Sequence, residues 1–380
     1  MAKARTANSL TKQYAYLKRR ISKAQGKAKF VGVLYLIGTL AIAALCCLQL
    51  LTVDGATLGA MAFWKPFLQL KAEGGILASI KANFTVLAIA VLYGVLLLIL
   101  LICVIKSLRS LGWLFKKKAS KLYGFNRNAY AMDDMGRYFS TAFATAVNCH
   151  FLIVVLAGGV TQMNMLAYAL LGVGLVVHFL CGIVGGTVSL FSTDGELYEE
   201  KREVGSFSPF VRNLLQIAVT AVALYFFVKA NTLRGALGEI LANGVKASLQ
   251  NWKELLIPAL QGVSALWLVI MTGYATGIKE YDADGADAPG RKAFLWLSLL
   301  LLLTAGGAVA YAKLMAKTAI ENGMLIIAGV AFAAFVLELC LRKLPKNKYA
   351  QTDEVDTGVF MKENYTKPGV YIPDGENGNR

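Results

Sequence analysis

The feature that most constrains this chain is a series of eight apolar stretches of a length suited to crossing about 30 Å of hydrocarbon as helices rising about 1.5 Å per residue. They run Phe30–Leu51, Thr85–Ile105, Thr141–Val160, Met165–Phe191, Leu214–Lys229, Leu255–Gly277, Phe294–Ala312 and Met324–Cys340, the fifth being the shortest. Lipid offers backbone amides no partner, so a spanning segment is either a helix or a strand of a closed barrel, and none of these stretches alternates with period two. The expected fold is therefore all-α: a polytopic integral membrane protein with eight transmembrane helices. Composition agrees, since only 16% of the 380 residues are charged whereas a soluble domain keeps about a quarter.

The basic residues orient the spans. With the amino end inside, 30 of the 39 Lys and Arg fall on cytoplasmic segments, which predicts a multi-pass protein of the cytoplasmic (plasma) membrane with both termini in the cytoplasm. The net charge of +16 then points to anionic lipids at the inner leaflet and not to nucleic acid. The cluster Lys116, Lys117, Lys118, Lys121 and Arg127 directly follows a span, where lipid headgroups lie. Leu10, Tyr14, Leu17 and Ile21 recur at helical spacing opposite Lys12, Lys18, Arg19 and Arg20, the pattern of a basic amphipathic helix on that surface. All six cysteines fall inside the expected spans, so no disulfide framework is indicated.

The chain divides into a cytoplasmic basic segment (1–29), a first membrane half (30–191), a cytoplasmic linker (192–213), a second membrane half (214–343) and a polar cytoplasmic tail (344–380). Long and short outer connections alternate identically in the two halves, which fits a 4+4 parallel pseudo-repeat. Ala157-Gly158-Gly159 and Ala305-Gly306-Gly307 suggest its register. The two long outer connections read as interfacial helices. One carries Met61, Phe63, Trp64 and Phe67. The other repeats Leu233, Leu237, Ile240, Leu249, Trp252 and Leu256 at helical spacing. In the tail, Val359-Phe360 and Val370-Tyr371-Ile372 form short extended patches suited to docking.

Soluble catalytic motifs fail on inspection. The glycines of Gly285–Lys292 have phosphate-loop spacing, but Arg291-Lys292 replaces the required Lys then Ser or Thr. Asp282, Asp284 and Asp287 lack the glycine and terminal glutamate of a calcium loop. No motif calls for a cofactor, and no enzyme is expected. The membrane interior is more informative, because ionisable groups there need a partner or water. The only histidines, His150 and His178, fall in spans three and four beside Asn148, Cys149 and Cys181. Cys149, His150, His178 and Cys181 are candidate metal ligands, although helical spacing turns neighbouring members of the set to different faces. The other reading is a polar path or helix clamp through Asn148, His178, Cys181 and Ser189. Glu338, the one carboxylate within a span, is the remaining candidate, with snorkelling to the inner interface as its simplest explanation.

Function is expected to be that of a permease-like or channel-like protein without an ATPase motif. The alternatives are a non-catalytic scaffold subunit of a larger membrane complex and an intramembrane metal or redox protein. Small-residue pairs such as Gly182 with Gly186 and Gly273 with Gly277 suit helix packing and homo-oligomer contacts.

Overall fold

The computed structural model describes residues 26–48, 51–53, 56–68, 84–115, 121–157, 162–163, 165–184, 186–191, 198–204, 207–229, 250, 252–276, 289–317, 319, 322–342 and 353–354. Its apolar body is all-helical. The helices are α1 (Gly26–Cys46), α2 (Phe84–Phe115), α3 (Lys121–Ala157), α4 (Met165–Val184), α5 (Phe207–Lys229), α6 (Trp252–Thr276), α7 (Pro289–Ala310) and α8 (Asn322–Arg342). A π-helical turn, Tyr311–Ala316, extends α7. Six helices, α1, α2, α3, α6, α7 and α8, are long and apolar enough to cross a membrane; the apolar stretches of α4 and α5 are shorter, Ala169–Cys181 and Leu214–Phe226. Only 33% of the most apolar window of α2 is buried inside the protein, and Val91, Val95, Leu98, Leu101 and Ile102 are exposed on its outer side. Side chains of that kind on an outer surface need lipid to cover them. This is a multi-pass membrane protein.

Two small antiparallel sheets fix which helix ends lie together. One contains β1 (Leu51–Val53), β2 (Ala56–Leu58) and β3 (Gln162–Met163), in the order β2-β1-β3. The other contains β4 (Gly186–Phe191), β5 (Tyr198–Val204) and β6 (Asp353–Glu354), in the order β4-β5-β6. Helix α4 leaves β3 and enters β4, so its length of about 30 Å separates the sheets. The chain following α1 and α3 thus lies at one end of the bundle. Strands β4 and β5 and residues 353–354 lie at the other, where Tyr198 faces Glu354.

These strands differ from the sequence expectation. Span four was expected to continue to Phe191, but the helix ends at Val184 and residues 186–191 pair with β5. Gly186 weakens helical continuity, and Thr187-Val188-Ser189-Leu190-Phe191 alternates and is rich in strand formers. The first outer connection also departs from an interfacial helix: it holds β1, β2, a 3₁₀ turn at Ala60–Ala62 and a single helical turn at Lys65–Leu68. Phe63 from this segment packs against Gly94 of α2. Trp252 and Leu256 belong to α6. The expected helices at 10–23 and 233–249, and the tail patches at 359–360 and 370–372, lie outside the described residues.

The buried side chains form two cores. One joins α1, α2, α3 and α4 through residues such as Tyr35, Leu96, Phe139, Phe143 and Val177. The other joins α5, α6, α7 and α8 through Ala223, Leu268, Leu301 and Ala331, and receives Phe151 from α3. Within the second core α5 packs against α6 and α8, and α7 packs against both α6 and α8, closing a four-helix ring.

Close helix approach in the first core depends on glycine. A Cβ on Gly174 of α4 would fall 2.3 Å from the Phe143 ring of α3. Phe143 is itself 1% exposed and has nowhere to move. Gly172, two residues away on the opposite side of α4, has nothing within 4 Å of such an atom. Gly174→Ala is expected to lower stability by about 1–3 kcal/mol through overpacking, whereas Gly172→Ala leaves it unchanged or slightly higher. Thermal unfolding of the two purified variants checks this, and equal midpoints would refute the packing.

Candidate functional site

Most hydroxyls within the helices are satisfied locally. Thr39, Thr220, Thr272 and Ser298 each donate to the carbonyl four residues earlier, the usual way such a side chain is tolerated in an apolar helix. Thr304 donates to Leu300 O at 3.0 Å and accepts from Ser264 at 2.9 Å, which links α7 to α6. Among the described residues, Tyr93, Ser107, Ser140, Asn148, His150, Gln261 and Trp267 each keep a buried polar atom without a protein partner, and the candidate site is drawn from Tyr93, Asn148, His150 and Gln261.

His150 is buried in α3. Its Nδ1 lies 2.6 Å from the Ala146 carbonyl, which only accepts, so Nδ1 carries the proton. The other nitrogen, Nε2, is buried without a protein partner. The Tyr93 ring of α2 meets the imidazole edge-on, with centroids 6.0 Å apart, and the Tyr93 hydroxyl is likewise unpartnered. Asn148 points elsewhere: its Nδ2 donates to Val269 O of α6 at 3.1 Å, while Oδ1 is buried without a partner. This bond crosses between the two cores. On α6 itself Gln261 is 2% exposed, and its Oε1 is also unpartnered.

Asn148 is level with Val269 of α6, which stands eight residues, or about 12 Å, along that helix from Gln261. Tyr93, Gln261, Asn148 and His150 lie about 10–14 Å along their helices from Phe84, Trp252 and Ala157, at 1.5 Å per residue. These three helix ends belong to the side of the first sheet, as β3 follows α3 and Tyr311 at the end of α7 reaches the Lys253 carbonyl at the start of α6. Tyr93, Asn148 and His150 thus lie together where α2 and α3 meet the Val269 turn of α6, and Gln261 stands nearer the start of α6.

The sulfur-bearing candidates separate from it. Cys149 is buried in the first core, and Cys181 of α4 shares a side-chain hydrogen bond with Tyr35 of α1. All six cysteines are free thiols. The His178 side chain lies outside the described residues. Among the described residues, no group of three or more His, Cys, Asp or Glu is placed to hold a metal. Ser189 sits on β4, beyond the end of α4, and so is not on the helical stripe with Cys181.

Glu338 does not snorkel. It is 1% exposed, and Gln216 of α5 donates from Nε2 to its Oε1. The sequence drew attention to Glu338 as a lone intramembrane acid. It gave no sign of which helix answers it, because Gln216 is an uncharged residue on the least apolar-looking span. Tyr35 was missed for a similar reason, since an aromatic at helical spacing reads as core. The Val269 carbonyl carries no sequence signal at all.

No protein-family profile matches this chain, and no curated protein or solved structure does either. The fold and the site define a multi-pass helical membrane protein with buried polar groups inside its bundle.

Loss of the Gln216 donor leaves a buried carboxylate short of a partner. Gln216→Leu is expected to destabilise by about 1–3 kcal/mol. Replacing both Gln216 and Glu338 with Leu should restore much of the loss. A thermal-shift series on single and double variants measures the coupling, and additive single effects would contradict it.

Proposed function

We propose that the protein is a permease-like or channel-like membrane protein of eight spans, built as two parallel four-helix repeats, with its solute path passing the buried polar residues Tyr93, Asn148, His150 and Gln261. The reading rests on one observation above others: buried polar atoms in both halves of the bundle have no protein partner. In an apolar interior each such atom costs roughly 1–3 kcal/mol unless water or solute bonds it. A chain that keeps several of them inside its bundle has a use for them.

The repeat is supported by position. Laying Gly26 on Phe207 puts Tyr35 on Gln216, Leu36 on Ile217, Thr39 on Thr220 and Ile42 on Ala223, all buried. Laying Phe84 on Trp252 puts Tyr93 on Gln261, Leu100 on Leu268 and Cys103 on Met271, again all buried. Matching the last residues, Ala157 and Ala316, puts Met135 on Phe294, Ala146 on Ala305 and Ile153 on Ala312. Matching Met165 with Asn322 puts Leu170 on Ile327, Val177 on Ala334 and Cys181 on Glu338. The contact Tyr35–Cys181 thereby falls on Gln216–Glu338, two pairs chosen by independent shifts. The Ala-Gly-Gly echo uses a different register and is not part of this match. Parallel repeats of this kind are a common plan for transporters, with the site between the halves.

Helices of 20 and 23 residues, α4 and α5, are long enough to complete the eight spans. The basic residues favour a cytoplasmic second sheet, which places the first sheet at the outer face.

The test is flux through reconstituted protein in liposomes, across a panel of ions and small neutral solutes. Tyr93→Phe and Gln261→Leu, at matching positions, are expected to reduce flux by about tenfold or more, the effect of losing about 1.4 kcal/mol of interaction along the path. No flux for any solute, together with stable partners that are lost on deleting residues 350–380, would replace this reading with the scaffold subunit.

A further inference from the structure

A cavity of about 250 Å³ opens between the end of α2 and the first half of α3, lined by Lys106, Arg109, Ser110, Trp113, Asp134 and Tyr138, with Ala131 behind them. The α2 members stand three, four and seven residues from Lys106, so they share one helix face, and Ala131, Asp134 and Tyr138 share a face of α3. The cavity is smaller than the roughly 300–1,000 Å³ that drug-sized ligands occupy, a size for a headgroup.

Its depth and surroundings specify the ligand. α2 has 32 residues and is far longer than the hydrocarbon core. Counted from Phe84, about 30 Å is used up near Cys103, so Lys106 and Arg109 stand at headgroup level. Exposed Ile105, Leu108 and Phe115 flank them on the same helix and offer an apolar surface to acyl chains. Two cations with the Ser110 hydroxyl suit a phosphate. Asp134, with the Trp113 and Tyr138 rings, suits an ammonium group. A free anion would find Asp134 unfavourable; a headgroup carrying both charges uses every group in the cavity.

We propose that this cleft binds the headgroup of an aminophospholipid, its phosphate on Lys106 and Arg109 and its primary ammonium on Asp134. The proposal rests on α2 crossing the bilayer and is independent of any transport path. No bond is made or broken.

Native mass spectrometry of the full-length chain, offered phosphatidylethanolamine, phosphatidylglycerol and phosphatidylcholine in turn, tests it. The wild type is expected to retain phosphatidylethanolamine above the other two. Lys106→Gln and Arg109→Gln should each weaken retention of every phospholipid by about fivefold, the effect of one cation at a lipid surface. Asp134→Asn should remove the preference and favour phosphatidylglycerol, and Ala131→Leu should block retention by filling the cavity. Equal retention of phosphatidylglycerol by the wild type, or unchanged retention in the Arg109 and Asp134 variants, would overturn the proposal. Thermal protection by inorganic phosphate equal to that by lipid would also overturn it, in favour of a soluble-phosphate site. Flotation with vesicles reads membrane insertion separately, so a failure of the spanning reading would be seen apart from a failure of the lipid site.

Discussion

A polar atom surrounded by hydrocarbon can bond only to protein, to the rare water that follows it, or to a bound solute, and the structure is organised around that restriction. It selects helices for the apolar body. It explains why Thr39, Thr220, Thr272 and Ser298 turn their hydroxyls onto their own helices. It also explains why the buried acid of α8, Glu338, is met by Gln216 from a neighbouring helix. Against this background Tyr93, Asn148, His150 and Gln261 are informative because each keeps a buried atom unbonded.

The same restriction decides what was legible in the sequence. Helices were readable because apolar runs of spanning length have few other uses; six of the eight expected spans coincide with helices long and apolar enough to cross a membrane, and the fourth and fifth with shorter apolar helices. Their ends were less readable. Thr187 to Phe191 is as apolar as the helix before it, and only strand pairing with β5 separates the two. The pairing of residues 353–354 with β5 joins segments far apart in the chain, so local pattern carried no trace of it.

The candidate residues divide along similar lines. His150 and Asn148 were conspicuous by type, and helical spacing already turned them to different faces. Their partners were not conspicuous: one is a backbone carbonyl of α6, another an aromatic ring of α2. The proposed repeat showed in the sequence only as an alternation of long and short connections. The register proposed for it rests on burial, as in Leu170 with Ile327 or Thr39 with Thr220, and two sequences that share burial need not share residues. Ala157-Gly158-Gly159 and Ala305-Gly306-Gly307 match by composition in a different register.

If these buried polar residues line a solute path, that path is wet. Cysteine placed singly at Tyr93, Asn148 or Gln261 in a cysteine-free background should react with small water-soluble thiol reagents. Val91 and Val263, close by on the same helices but exposed on the outer surface, should stay silent as cysteines because hydrocarbon covers them. Reaction at the three interior positions and silence at the two outer ones is the predicted result. Silence at all five, or equal reaction at Val91 and Val263, would contradict a hydrated path inside the bundle.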